Sequence, residues 1–185
     1  MTDAVISGSH LLAQVTLDEI AAIADENQSF RGYFQGYIAE PKLKQQLLAI
    51  DGVRSVVKIP DRAPMKGDFL VQYNDEFFTI ESKCLSTRRI KHFPDGSATG
   101  TVCLKKSDSQ ILPDGRKTTC LLKGGFHILA VCMFALTGTW EFQFIANKYL
   151  EASPKYPDRL STSVKVDVRN NPRFTPNVVE VFADI

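Results

Sequence analysis

The chain has 185 residues, of which 44% are apolar, and its formal net charge is +1 at neutral pH. Its length and apolar content predict one globular domain over residues 29–185, preceded by a helical extension over residues 1–28. No apolar stretch reaches the roughly 18 residues of a membrane span, and no basic segment followed by an apolar one opens the chain. From these features we expect neither a membrane protein nor a secreted one, but a cytoplasmic protein.

The cysteines and histidines predict no structural zinc site, because no two cysteines have the CxxC spacing and the histidines are scattered. His127 lies in an apolar segment and is predicted to be a hydrogen-bonded core residue, as Trp140 is predicted to be a core residue. The cysteines are read as small hydrophobic residues. These side chains are Cys84, Cys103, Cys120, Cys132, His10, His92 and His127.

Two helical segments open the readable part of the chain. Thr16 followed by Glu19 is a capping-box pattern and predicts a helix near residues 17–27. Apolar residues then recur at three- and four-residue steps over residues 30–48, although Pro41 disfavours helical geometry. We therefore expect either a kinked helix or two consecutive helices, followed by a strand over residues 53–59.

Residues 67–83 predict a β-hairpin whose two-residue loop is Asn74-Asp75, since both residues tolerate left-handed backbone conformations. With this loop, the numbers of paired residues sum to 149, so Asp68 lies opposite Glu81. Lys83 shares that face, because side chains alternate along a strand. The other face pairs apolar residues: Phe69 with Ile80, and Val71 with Phe78.

The opposed Asp68 and Glu81 carboxylates repel each other and need a compensating interaction. A shared proton, an external cation, or both side chains turning into water would each compensate. A divalent cation such as Mg²⁺ fits a site made only of oxygen ligands. A solvated hairpin face is the alternative interpretation.

The second half of the chain predicts further strands. Residues 86–124 are polar, with short strands around 99–105 and 117–122 flanking a long loop. Residues 126–134 predict a strand buried on both faces, although a buried helix is also consistent with their composition. Residues 140–146 alternate and are expected to pair with that strand, and one more strand is expected near residue 165.

Positive charge is concentrated in the middle of the chain. Residues 83–123 contain nine lysines and arginines against three aspartates. This net excess of +6 would favour a polyanion beside the carboxylate pair, while solvated loops are the other interpretation. The candidates for phosphate contacts are Arg88, Arg89, Lys91, Lys105 and Lys106.

Two motifs resemble those of the PD-(D/E)xK nuclease superfamily, which includes many restriction endonucleases. They are Lys66-Gly67-Asp68 and Glu81-Ser82-Lys83, and Glu40 corresponds to an acidic residue that similar proteins often carry on the preceding helix. The resemblance spans roughly residues 30–150 in layout and is confined to these motifs in sequence. It implies an α/β (α+β) fold with a restriction endonuclease-like core, in which helices flank a central mixed β-sheet.

The same resemblance implies a metal-dependent DNA endonuclease, most similar to type II restriction enzymes. Asp68, Glu81, Lys83 and Glu40 would be catalytic, and Asp68, Glu81, Glu40 and the Ser82 carbonyl would bind Mg²⁺, with Mn²⁺ as a substitute. The expected partners are double-stranded DNA and a second copy of the chain, so that two sites reach two strands. A nuclease specific for junctions or damaged DNA and a non-catalytic nucleic-acid-binding module are the alternatives.

Overall fold

The computed structural model describes residues 13–60, 63, 65–112, 115–167 and 173–185. The chain divides into two compact units, one ending at Tyr37 and one beginning at Ile38. None of the helices in the described part of the chain is both long enough and apolar enough to cross a membrane.

The helices are α1 Leu17–Glu26, α2 Gln28–Leu48, α3 Phe134–Thr137 and α4 Val178–Ala183. The strands are β1 Val53–Lys58, β2 Phe69–Tyr73, β3 Glu76–Cys84, β4 Lys91–His92, β5 Ala98–Cys103, β6 Lys105–Ile111, β7 Lys117–Cys120, β8 Ile128–Cys132, β9 Phe142–Ala146 and β10 Ser163–Asp167. Thr87–Arg89 and Asn147–Tyr149 form single 3₁₀ turns.

The first helix starts where the capping-box pattern predicts. The Thr16 hydroxyl accepts a hydrogen bond from the Glu19 amide at 3.2 Å, and the Glu19 carboxylate accepts one from the Thr16 amide at 2.8 Å. These two bonds satisfy amide groups that the helix itself cannot pair. The predicted first helix is therefore confirmed.

Helix α2 runs from Gln28 to Leu48 with Pro41 inside it, so of the two expected arrangements the chain forms one helix and not two consecutive helices. Proline removes one backbone hydrogen bond from a helix interior and disfavours the preceding turn. Ala39, Leu43 and Leu47 are completely buried against the core on the same side of α2. Their packing stabilises a continuous helix in spite of the proline.

Within the described residues, five strands form a central sheet in the order β1-β2-β3-β8-β9. Strands β3 and β8 are parallel, whereas the other neighbours in this sheet are antiparallel. The sheet is therefore mixed, and helices pack against it. This arrangement confirms the predicted α+β class with a central mixed sheet.

The hairpin of β2 and β3 has the predicted register. Phe69 pairs with Ile80, Val71 with Phe78 and Tyr73 with Glu76. The turn residue Asn74 has a φ of 53°, in the left-handed region that asparagine tolerates. Asp68 extends the pairing beyond β2, because its amide donates to the Ile80 carbonyl at 2.7 Å.

The two faces of the central sheet bury different clusters of apolar residues. On one face, α2 and α4 pack against the sheet through residues Leu43, Leu47, Val178, Val181, Phe182, Val71, Ile80 and Ile128. On the other face, Leu129, Val131 and Ile145 pack against residues of β5 and β10 such as Val102 and Val166. All five residues of β8 are buried, which confirms the predicted central strand.

The middle of the chain contains more strand than expected. Residues 105–111 form β6, which pairs antiparallel with β7, where the sequence predicted part of a long loop. Strands β4, β5 and β10 form a separate three-stranded sheet. Strand β6 was missed because its sequence, KKSDSQI, lacks the apolar alternation by which strands are recognised. The short helix α4 was not predicted either, because its six residues are too few to show a helical period.

We expect Leu43→Ala to lower the free energy of unfolding by about 2–5 kcal/mol, because removing a fully buried side chain leaves a cavity in the core. The matched control is Leu48→Ala in the same helix, whose side chain is 49% exposed. This control should change the free energy of unfolding by no more than about 0.5–1 kcal/mol. Urea denaturation monitored by circular dichroism measures both, and equal effects would contradict the described packing of α2.

Candidate active site

Charged side chains from four elements meet at one end of the central sheet. Glu40 lies on α2, Lys58 is the last residue of β1, and Asp68 directly precedes β2. Glu81 and Lys83 lie on β3. The antiparallel pairing of Lys58 with Phe69 and of Phe69 with Ile80 brings these elements together at the same edge.

The Asp68 carboxylate is held on both of its oxygens. Oδ2 accepts a hydrogen bond from the Ser82 backbone amide at 2.7 Å, and Oδ1 lies 3.5 Å from the Lys58 ammonium. Ser82 lies near Asp68 because Asp68 directly precedes Phe69, and Phe69 pairs with Ile80 of β3. Asp68 therefore has a fixed orientation relative to the Glu81-Ser82-Lys83 segment.

Lys58 connects Asp68 to Glu40. Its Nζ lies 2.7 Å from Glu40 Oε2, and its ammonium is 5.3 Å from the centre of the Phe69 ring. Partial burial alone would lower the pKa of Lys58, but the hydrogen bond to Glu40 and the attraction to Asp68 raise the pKa above its ordinary value. Lys58 is accordingly a stable cation between two carboxylates.

Glu81 and Lys83 form a second, more buried ion pair. The Lys83 ammonium lies 2.5 Å from Glu81 Oε1 and donates to the Ser82 carbonyl at 3.2 Å. Burial would lower the pKa of Lys83, but attraction to Glu81, then to Asp68, raises the pKa above its ordinary value. By strand register, both side chains share the face of Leu129 and Val131, beside the second apolar cluster.

The predicted site residues therefore lie in two linked groups, Glu40–Lys58–Asp68 and Glu81–Lys83, with Ser82 between them. In this arrangement two internal ammonium groups offset two of the three negative charges of the carboxylates. Internal lysines were not among the three compensations considered from the sequence. By strand register, the charged face of the hairpin lies on the same side of the sheet as Leu129 and Val131 of the second apolar cluster, so this side carries apolar residues as well as charges.

Lys58 is the site residue that sequence analysis missed. A signal for it exists in the pattern, because Lys58 is two residues after the buried Val56 and so lies on a core-facing side of β1. A charge in such a position at a strand end indicates a partner. The sequence does not reveal that this partner is Glu40 of α2.

The donor chemistry of the site fits a hard divalent cation. Glu40, Asp68, Glu81 and the Ser82 carbonyl offer only oxygen atoms, which Mg²⁺ prefers. As arranged, however, no three His, Cys, Asp or Glu side chains among the described residues converge closely enough to hold a metal ion. These oxygens are instead contacted by Lys58, Lys83 and the Ser82 amide, so a cation would bind only if an ammonium group moved.

The basic residues proposed for phosphate contacts follow β3 in the chain. Arg88 and Arg89 form the 3₁₀ turn after β3, and Lys91 begins β4; all three are exposed. Lys105 is exposed at the start of β6. The side chain of Lys106 lies outside the described part of the structure. Their role in phosphate binding stays a prediction.

Three other side chains named from the sequence make structural contacts. His127 accepts a hydrogen bond at Nδ1 from the Thr79 amide at 2.9 Å, but its side chain is exposed, so the expected core position is wrong. A hydrogen bond with Cys132 and burial raise the pKa of the Cys84 thiol, so Cys84 is not a reactive thiolate. Trp140 is partly buried and stacks on Phe134.

Comparisons with known proteins assign no family. No protein-family model and no curated protein sequence matches the chain. Among solved structures, the chain is similar to the bacterial homing endonuclease I-Ssp6803I, with a TM-score of 0.41 and 11% identity. The likeness covers 80% of this chain and 83% of that one. At this TM-score and identity, the structural similarity supports no conclusion about function.

We expect Lys83→Met to lower the free energy of unfolding by about 3–5 kcal/mol, because the buried Glu81 carboxylate loses its ammonium partner. The double variant Glu81→Gln with Lys83→Met should recover most of this loss, since no buried charge then lacks its counter-ion. Chemical denaturation of the single and double variants measures the coupling. A suitable control is Arg54→Met, which breaks the exposed Arg54–Asp75 pair and should cost at most about 1 kcal/mol. Strictly additive effects of the Glu81 and Lys83 substitutions would contradict a direct pair.

Proposed function

We propose that the protein is a Mg²⁺-dependent endonuclease that hydrolyses phosphodiester bonds of double-stranded DNA, of the type II restriction enzyme kind. One observation carries the proposal: three carboxylates and two lysines from α2, β1, β2 and β3 meet at one end of the sheet. Such a cluster costs desolvation energy and has no evident structural need, because apolar residues would stabilise a sheet end better. A functional requirement explains its presence.

Phosphodiester hydrolysis requires an oriented attacking water and stabilisation of the negative charge that develops on the phosphate and the leaving oxygen. When bound, Mg²⁺ would neutralise part of that charge and activate the attacking water. Glu40, Asp68, Glu81 and the Ser82 carbonyl would hold it. The site thus has donors of the required chemistry for this role.

Lys83 would supply the remaining positive charge. Its ammonium is oriented by Glu81 and by the Ser82 carbonyl, so the side chain loses little freedom when a phosphate arrives. Because the raised pKa keeps Lys83 protonated, it would act by donating hydrogen bonds to the phosphate or the water rather than by accepting a proton. Asp68 is oriented for its task by the Ser82 amide.

DNA would approach over the exposed basic residues that follow β3. These residues are Arg88, Arg89 and Lys91, all within ten residues of Lys83 along the chain. A DNA backbone bound to them would therefore lie near the end of β3 that carries Lys83. Such contacts confer affinity without reading the base sequence. One site per chain requires two copies to cut both strands, so we propose a homodimer acting in the cytoplasm.

We expect the wild-type protein to cut plasmid DNA with Mg²⁺ and to be inhibited by EDTA. Asp68→Asn should reduce the cleavage rate by about 10²-fold or more, because it removes charge from the site while preserving shape. The matched control is Asp75→Asn, an acid in the turn of the same hairpin with an 86% exposed side chain. Gel electrophoresis of cleavage time courses measures both.

The substrates in that assay distinguish the proposed enzyme from related activities. Discrete fragments from duplex DNA support a restriction enzyme, whereas cutting confined to four-way junctions or damaged DNA would replace it with a structure-specific nuclease. If circular dichroism shows all variants folded and none cuts any DNA, hydrolysis is wrong. DNA binding without cutting would then favour a non-catalytic module.

We expect Arg89→Ala combined with Lys91→Ala to weaken DNA binding equally for all sequences. Each lost phosphate contact should lower the slope of log affinity against log salt concentration by about 0.9, so the double variant should lose about 1.8. Arg54→Ala, which removes an exposed cation from β1, is the control. Fluorescence anisotropy across a salt series measures the slopes, and an unchanged slope would exclude these two residues from the interface.

A further inference from the structure

We infer that Lys58 is a built-in counter-ion for Glu40 and Asp68 that competes with the divalent cation for these two carboxylates. The inference rests on the proposed function for the identity of the cation. Lys58 Nζ lies 2.7 Å from Glu40 and 3.5 Å from Asp68, so one ammonium contacts both carboxylates. It holds the two acids together when no metal is bound.

Two unneutralised carboxylates that share one site repel each other and would shift apart or take up a proton. Glu40 lies on a helix and Asp68 on a hairpin, so nothing in the local chain fixes their separation. An ammonium between them removes the repulsion and sets their spacing. The acids are thereby already assembled before a metal ion arrives.

Lys58 rather than Lys83 is the lysine that a metal ion would displace. The Lys58 side chain is 39% exposed, whereas that of Lys83 is 25% exposed and its partner Glu81 only 11%. Lys83 also donates to the Ser82 carbonyl, and its contact with Glu81 is short, at 2.5 Å. Lys58 has one short contact, 2.7 Å to Glu40, and one long contact, 3.5 Å to Asp68. Because water screens such a partly exposed pair, leaving the two acids costs Lys58 less than leaving Glu81 would cost Lys83, and its ammonium can be hydrated outside the site.

The competition predicts the direction in which removing Lys58 changes the affinity for the metal ion. A cation that enters between Glu40 and Asp68 must displace the Lys58 ammonium, so the charge on Lys58 weakens metal affinity. A residue that only supported the fold would have the opposite effect, because its loss would loosen the site and weaken binding. A gain of affinity therefore separates the two roles.

The test is calorimetric titration of DNA-free protein with Ca²⁺ and with Mg²⁺, which needs no catalysis. Lys58→Met should bind the cation about tenfold more tightly than wild type, or better, because the competing ammonium is gone. Lys58→Arg, which keeps the charge, should stay near the wild-type affinity. Arg54→Met removes a cation from the same strand at its opposite end and should also leave the affinity unchanged.

A second measurement covers the metal-free state. In EDTA, Lys58→Met should have a lower melting temperature than wild type, since Glu40 and Asp68 have lost their shared cation. Adding Ca²⁺ should raise the melting temperature of this variant more than that of wild type or Arg54→Met. A melting temperature in EDTA equal to that of wild type would contradict the counter-ion role.

The inference and the proposed function fail in different ways. If Lys58→Met binds Ca²⁺ no more tightly than wild type, the inference is overturned, even where wild type cuts DNA. If Lys58→Met gains affinity but wild type cuts no DNA, the counter-ion role stands and hydrolysis is wrong. If neither protein binds a divalent cation and neither cuts DNA, both are wrong.

Discussion

The balance of charge at one end of the central sheet is the constraint on which the rest of the site depends. Glu40 of α2, Glu81 of β3 and Asp68, which precedes β2, contact two lysines of β1 and β3, leaving one net negative charge. Two unit charges 4 Å apart interact by about 4 kcal/mol at an effective dielectric constant near 20. Desolvation of each buried ion costs several kcal/mol, so the cluster persists only because every acid has a cation in contact.

The fold supplies the rigidity that such a cluster needs. The Glu81-Ser82-Lys83 segment lies on β3, which pairs with β2 on one side and with the fully buried β8 on the other. The Ser82 amide fixes the Asp68 carboxylate through a hydrogen bond whose donor is part of the rigid strand backbone. Lys58 reaches the site from the end of β1, and its side chain is more exposed than that of Lys83.

Local rules recovered the elements whose signals are periodic and strong. The register of the hairpin followed from the two-residue turn at Asn74-Asp75, and β8 followed from its continuous apolar run, because a strand buried on both faces is apolar throughout. The same rules left α2 undecided between a kinked helix and two helices at Pro41, and they missed β6, whose polar residues give no apolar period. In both cases long-range packing or strand pairing outweighed local preference.

The amino-acid pattern is enough to place Asp68 opposite Glu81 on one hairpin and Lys83 on the face of Glu81. These statements depend only on the turn and on alternation along a strand, which are local. The contact of Glu40 of α2 with Lys58 of β1, and of Lys58 with Asp68, appears only in the folded chain. The reason is that the packing of a helix on a sheet depends on the whole core, through side chains such as Leu43 and Leu47, and no short stretch of sequence encodes it.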